Sequence, residues 1–488
     1  MKFMYFKENK LFYFTLFSLI IFSSILRINN INFDDLWTDE IFSFWISDPS
    51  INFNETLIRA FSSGLNFFFD LSLKFFHYLF GYDVYISRYY PLILSIISLN
   101  LFALLLIKIT NKKSVILGFF ILAINLYHIK YSQELRSYIL TFLFTILFLF
   151  LNFNSKNSVK EIKPFHLITS IILIFLMYCN HAFTLLIVGS FIIFKIFEMI
   201  KIKKIDKSNF IIISSYILIS ILFLIFYYYT NLRFINPDTL DGISPHWMKQ
   251  PKLSFYTNYF FSEFFGSRIL GLIHLLILIF CIVKFRKEIF IKNNDIYTYF
   301  VILLIFSYIV PLIVGYTFGP VLLGRFLIFL LIPIICLLCH FIFLIEKKYV
   351  RFLFIILICV TTFVNHILYE NTFKFYSKPF YTKPQVKQSL EIINNSETNL
   401  ITIKMSEKNI NHINDVYENY ILKYIEKKKY QIIYFNNQKR NITPEKTWIL
   451  FFRDITKDEF KLPKIFSNYN LVKKISLNRL DLILLERY

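Results

Sequence analysis

Up to about residue 370, apolar residues in this chain run in long blocks rather than in alternation. The blocks fall at approximately 11–28, 86–107, 115–129, 137–153, 165–180, 182–199, 209–228, 268–285, 297–315, 323–345 and 350–368. Runs of roughly 17–25 apolar residues are long enough to cross a bilayer as helices. Helix is the form such runs adopt in lipid, because hydrocarbon offers no partner to backbone N–H and C=O groups. The pattern therefore predicts a polytopic α-helical membrane protein with about eleven transmembrane helices. The first block follows Lys2, Lys7 and Lys10, and no small-residue cleavage site comes after it. It reads as an uncleaved first helix.

Beyond residue 370 the pattern changes to short apolar stretches between polar ones. Lys387–Asn394 and Ile413–Lys427 read as helices. Asn399–Lys404, Gln431–Phe435, Trp448–Phe452 and Leu480–Leu485 read as strands. Alternating helices and strands predict a small C-terminal α/β domain over 370–488, following a transmembrane domain over 1–369. No internal repeat of the kind that marks many transporters is visible.

Composition agrees: of 488 residues, 56% are hydrophobic and 17% charged, and the mean hydropathy is +0.55. The net charge of +21 would indicate nucleic acid in a soluble protein. Here the lysines sit in short loops, near 108–113, 156–163, 201–207, 284–292 and 347–351. They reflect topology and a Lys/Ile/Asn/Phe-rich composition, so no nucleic-acid partner is expected. Those loops alternate with Lys-poor ones, which places the N-terminus in the cytoplasm. Three segments then face outward from the cell membrane: a long first loop over 29–85, a turn-rich loop over 229–267, and the tail. Within the first loop, 51–63 and 67–80 look amphipathic and suit helices lying along the interface. The five cysteines lie in or beside apolar blocks and indicate neither a disulfide framework nor a zinc cluster.

Candidate chemistry gathers on the predicted outer side. Asp39 and Glu40 are adjacent acids just beyond the first block. Two neighbouring carboxylates repel, so one can have a raised pKa, or the two can share a cation. They suit a catalytic base with an orienting neighbour, and equally an ordinary helix-capping turn. Arg136, in the turn Gln133-Glu134-Leu135-Arg136-Ser137-Tyr138, suits a phosphate, whose oxygens a guanidinium meets bidentately. It also suits a side chain snorkelling to the interface. Arg88 and Arg325 open the second and tenth spans, where arginines commonly anchor helices. His181 sits at an outer turn, where a structural role is equally open.

Taken together, Asp39-Glu40, the segment from Gly81 to Arg88, the Gln133–Tyr138 turn, His181 and Arg325-Phe326 resemble the GT-C superfamily of integral-membrane glycosyltransferases. The resemblance is to the glycosyltransferase family 39-like branch, which contains protein O-mannosyltransferases and the bacterial aminoarabinose and Rgt-type sugar transferases. It covers roughly residues 10–370. Where these proteins commonly carry a His/Asn-Pro-Pro-Leu-Tyr-Tyr stretch, this chain reads Leu65-Asn66-Phe67-Phe68-Phe69-Asp70, keeping Asn66 and lacking both prolines.

The resemblance implies an inverting transfer from a polyprenyl-phosphate-linked sugar donor to a hydroxyl of a glycan, lipid or protein acceptor. Asp39 would be the base and Glu40 would orient the acceptor or tune Asp39. Arg88, Arg136 and Arg325 would bind the donor phosphate, with His181 assisting. Asn66, Glu134 and Tyr138 would bind substrate. No cofactor is required, and a divalent metal between the acids and the phosphate is compatible, although no ligand set demands one. A polytopic lipid or polysaccharide transporter and a non-catalytic membrane scaffold are the rival classes.

Overall fold

The computed structural model describes residues 2–63, 67–153, 164–202, 207–234, 260–291, 295–368, 382–398, 401–404, 413–425, 445–452 and 466–488. Asn66, the turn-rich centre of the loop over 229–267, and the strand expected at Gln431–Phe435 lie outside the described residues.

Helices occupy all eleven apolar blocks. The first is α1 (Lys2–Ile28). The first loop then holds α2 (Thr38–Ile46), α3 (Phe53–Ser63), α4 (Phe67–Phe80) and α5 (Val84–Ser87). Next come α6 (Tyr89–Ile109), α7 (Lys112–Ala123), α8 (Leu126–Ser132) and α9 (Tyr138–Asn152). Longer helices follow at Pro164–Asn180, Thr184–Ile202, Lys207–Phe234, Arg268–Lys284, Asp295–Thr317, Leu331–Leu344 and Lys348–Leu368. Among the described residues, five helices are long and apolar enough to cross a membrane, and a sixth is if α7 and α8 form one bent span.

Two blocks depart from simple spans. The third is broken between α7 and α8, which meet at 59°. Asn125 makes the break: its Oδ1 accepts from the His128 N–H (2.9 Å), and its Nδ2 donates to the Phe264 carbonyl (2.8 Å). Helix breaks leave carbonyls without partners. Here the buried Arg27 guanidinium, at the end of α1, donates to the carbonyls of Leu122 and Ala123, both at 3.0 Å. The tenth block opens as a 3-10 helix over Gly324–Leu330, with Leu327 off helical geometry (φ −108°, ψ 17°). From Leu327 to Ile335 it is buried throughout and forms the centre of the helical core.

In the first loop, α4 is two-faced. Phe69, Asp70, Leu73, Phe76 and His77 are buried, whereas Phe75, Tyr78, Leu79 and Phe80 are exposed. The spacing is that of a helix with one face packed on the protein. The outward face is aromatic and aliphatic and the packed face holds Asp70 and His77, so the expected amphipathic pattern is not what buries it.

Among the described residues, the C-terminal region forms a four-stranded mixed sheet in the order β1-β2-β4-β3. Its strands are β1 (Ile401–Lys404), β2 (Lys446–Phe452), β3 (Tyr469–Leu477) and β4 (Leu480–Arg487). β1 and β2 are parallel, and β4 is antiparallel to both β2 and β3. Helices at Val386–Asn394 and Ile413–Ile421 accompany the sheet. β3 was not expected from the sequence, because as an edge strand it carries Lys473 and Lys474 and leaves most of its residues exposed.

This region is fastened to the first loop. Tyr82 stacks on Phe44 (4.2 Å, 9°) and its hydroxyl reaches Asn419 Oδ1 at 3.0 Å. The Lys423 ammonium lies 4.0 Å over the Tyr82 ring. Asp34 accepts from the Thr382 N–H (3.1 Å) and Asp35 from the Lys387 N–H (2.7 Å).

Candidate active site

The first turn of α2 places Asp39 and Glu40 at its second and third positions, where acids stabilise a helix by opposing its dipole. The structure then separates the two acids chemically. Glu40 folds back, and its Oε2 accepts from the Trp37 N–H at 3.2 Å, which is half of a capping box. Its Oε1 accepts from the Leu135 N–H at 2.8 Å. Lys383 stands 2.5 Å and Arg88 3.6 Å from Oε2, and the side chain is 0% exposed. Burial alone would raise its pKa, but Lys383 and then Arg88 outweigh burial and hold it below the ordinary carboxylate value. Glu40 is a saturated internal anion.

Asp39 is the open member of the pair. Its side chain is 31% exposed, and Arg325 Nη2 lies 3.4 Å from Oδ2. Arg325 also sits 5.0 Å over the Trp37 ring, which fixes it against the same turn. Arg136 approaches from the other side, with Nη1 donating to the Asp39 carbonyl and to Ser43 Oγ, both at 3.1 Å. The Nε–H groups of Arg136 and Arg325 are buried and have no hydrogen-bond partner among the described residues. Two guanidinium donors thus converge beside one accessible carboxylate.

The Gln133–Tyr138 turn is what brings Arg136 there. Gln133 Nε2 donates to the carbonyls of Arg27 (2.9 Å) and Asn29 (2.8 Å), capping the end of α1. The Leu135 N–H bonds Glu40, which fixes the residue next to Arg136. Glu134 is buried with Oε1 unpartnered among the described residues. Burial, opposed by Lys383 and reinforced by Glu40, raises its pKa.

Arg88 faces inward. Nη1 donates to the Ile31 carbonyl (3.0 Å) and the Asp34 carbonyl, and Nη2 to the Asp35 carbonyl (2.7 Å), so its guanidinium shapes the first loop. His181 is buried, and its Nδ1 accepts from the Phe183 N–H at 3.2 Å, which leaves Nε2 to carry the ring proton. Burial, aided by Arg136 and Arg325, pushes its pKa down to about 3. It is a neutral donor rather than a cation. Its ring packs 4.9 Å from Phe326 and 6.1 Å from Tyr138.

Three residues that sequence reasoning passed over complete this region. Lys383 comes from the distant tail, and nothing in its local pattern marks it. Glu263 lies where Gly324 leaves room, since a Cβ at position 324 would fall 1.5 Å from Glu263 Oε2. Asp70 is buried in α4, with Oδ1 unpartnered among the described residues, and is drawn electrostatically towards Arg136 and Ser43. The one available signal was Asp70 itself, an acid inside an otherwise apolar helical pattern.

Burial pushes the Asp70 carboxyl from 3.8 up to about 7, against the pull of Arg136 and Ser43. A carboxyl that holds its proton more tightly when folded costs stability as pH rises between those two values. Asp70→Asn removes that cost. The variant is therefore expected to melt above the wild type at pH 8 and to match it near pH 4, as thermal unfolding in detergent would measure. A gap independent of pH would contradict this assignment.

Among the described residues, no three His, Cys, Asp or Glu side chains gather closely enough to hold a metal ion. No protein-family model matches the chain, and no curated protein matches it in sequence. Solved structures do match in fold. ArnT from Cupriavidus metallidurans, in the apo state, superposes with a TM-score of 0.58 at 8% identity, over 98% of each chain. The archaeal oligosaccharyltransferase AglB from Archaeoglobus fulgidus, in complex with an inhibitory peptide and a dolichol-phosphate, superposes with a TM-score of 0.50 at 11% identity. That match covers 86% of this chain and 60% of AglB, so the chain spans about three fifths of the oligosaccharyltransferase's length. The fold that carries the Asp39 site is therefore similar to those of ArnT and of the oligosaccharyltransferase AglB.

Proposed function

We propose that this chain is an inverting membrane glycosyltransferase that moves a sugar from a polyprenyl-phosphate donor to a hydroxyl acceptor at the outer face of the cell membrane. The observation that carries the reading is the accessible Asp39 carboxylate beside two arginines whose Nε–H groups lack hydrogen-bond partners among the described residues. That is the equipment for removing a proton while receiving a phosphate. The ArnT-like fold over the full length and the dolichol-phosphate in the AglB structure support the same reading.

In this mechanism the acceptor oxygen attacks the anomeric carbon and its proton passes to an Asp39 carboxylate oxygen. The bond from the anomeric carbon to the phosphate oxygen breaks, its electron pair leaves with that oxygen, and the configuration inverts. Arg325 and Arg136 meet the growing charge on the polyprenyl phosphate, and fixed donors aimed at developing charge are the strongest single device for such a step. His181 adds a neutral Nε2–H. Arg88 and Glu40 hold the first loop and the Gln133–Tyr138 turn in register. Glu134, Tyr138 and Asn66 are the proposed substrate contacts, with a glycan, lipid or protein as acceptor. A divalent cation shared by Asp39 and the phosphate is compatible, and no step depends on it.

The accompanying topology has eleven spans, a cytoplasmic N-terminus and an extracytoplasmic C-terminal domain after residue 369. The test is to incubate purified protein in lipid nanodiscs with radiolabelled polyprenyl-phosphate hexoses and pentoses, and to follow release of polyprenyl phosphate. Release that depends on an acceptor supports transfer. In sealed vesicles, movement of intact donor without cleavage would replace this reading with a transporter.

A further inference from the structure

Lys383 enters the site from the opposite end of the chain, and its position is set from two sides. On one side, Asp34 accepts from the Thr382 N–H (3.1 Å), and Asp35 accepts from the Lys387 N–H (2.7 Å). On the other, Asn478, in the turn between β3 and β4, donates from Nδ2 to the Lys383 carbonyl (2.9 Å). Its N–H donates to Gln385 Oε1 (2.7 Å). The ammonium so held lies 2.5 Å from Glu40 Oε2, with the lysine side chain 15% exposed.

Glu40 has two working ends. Oε2 meets Lys383, and Oε1 holds the Leu135 N–H, one residue before Arg136. A buried carboxylate remains ionised only where cations and donors replace water. The groups facing Glu40 are Lys383 from the tail, Arg88 between α5 and α6, the N–H groups of Trp37 and Leu135, and the opposing acid Glu134. Lys130 and Arg325 act on Glu134 from α8 and the 3-10 helix. Arg88 is already committed to three loop carbonyls. Lys383 is the nearer cation and the one in direct hydrogen bond.

We infer that Lys383 is a positioning residue of the active site. By keeping Glu40 a carboxylate, it fixes the turn that aims Arg136 at the Asp39 backbone, so the site is assembled only with the C-terminal region docked on the first loop. The inference rests on the glycosyl-transfer reading above. Burial tends to protonate Glu40 and Lys383 opposes it, so removing the lysine lets Glu40 take a proton at higher pH.

The experiment compares Lys383→Met, Lys383→Arg and the wild type in acceptor-dependent release of polyprenyl phosphate across pH, using whichever labelled donor the wild type cleaves. Hydrogen exchange of the peptide spanning 133–138 is measured alongside. Lys383→Met should lower kcat by about 10²-fold, the scale of an ångström-level misplacement. It should also move the acid limb to higher pH and speed exchange in the turn. Lys383→Arg should restore most of the turnover. Unchanged kcat, acid limb and exchange in Lys383→Met would overturn the inference. If that variant is not recovered folded, Lys383→Gln, which keeps a donor without the charge, is judged by the same criteria. A wild type that cleaves no donor defeats the glycosyl-transfer reading instead, and exchange at 133–138 alone then decides whether Lys383 orders the turn.

Discussion

Asp39→Asn is expected to reduce transfer by about 10²–10⁴-fold, the usual worth of a positioned general base, with the protein still folded. Asparagine keeps the shape of the side chain and its place in the first turn of α2, and cannot accept the acceptor's proton. The structural cost should be small. The side chain is 31% exposed, its contact with Arg325 is 3.4 Å, and partly solvated ion pairs of that kind contribute little to stability. The comparison is release of polyprenyl phosphate by the two proteins, with matched thermal unfolding as the control. Wild-type turnover by Asp39→Asn would remove Asp39 from the chemistry and leave the site without an accessible base.

Arg325→Met carries the second large effect, an expected loss of about 10²–10³-fold in kcat, the range seen when one preorganised donor to developing charge is removed. Arg325 is placed in the proposed reaction rather than in the core. It opens the tenth apolar block, is 21% exposed, and is held by Trp37 and Asp39 with its Nε–H unpartnered among the described residues. Lysine should rescue poorly, because an ammonium reproduces neither the planar fork nor the stacking on Trp37. The informative measurement is the division between kcat and KM for the donor. A rise in KM alone would assign Arg325 to ground-state binding.

Much of the helical framework was legible because bilayer-length apolar blocks have few alternatives. The break after Ala123 was not, since the block runs apolar through it and Asn125 looks like any other asparagine until its side chain finds His128 and Phe264. In the site, Asp39, Arg136 and Arg325 stood out as charges at the ends of apolar blocks, and the structure brings those three together. The difference between Asp39 and Glu40 could not be read from two adjacent acids. It depends on which one meets Leu135, Arg88 and Lys383, and these contacts span 95, 48 and 343 positions of sequence. Glu263 and Lys383 were invisible for the same reason: long-range partners leave no local pattern.

Arg325 stands on a 3-10 turn, and the α-helix begins only at Leu331. Such turns have poorer hydrogen-bond geometry than α-helix and often mark hinges. In the mechanism proposed above, the guanidinium that would meet the departing phosphate is therefore carried by the 3-10 turn that opens a deeply buried helix. A hinge at that turn would let it follow the withdrawing lipid phosphate while the α-helix from Leu331 stays wound.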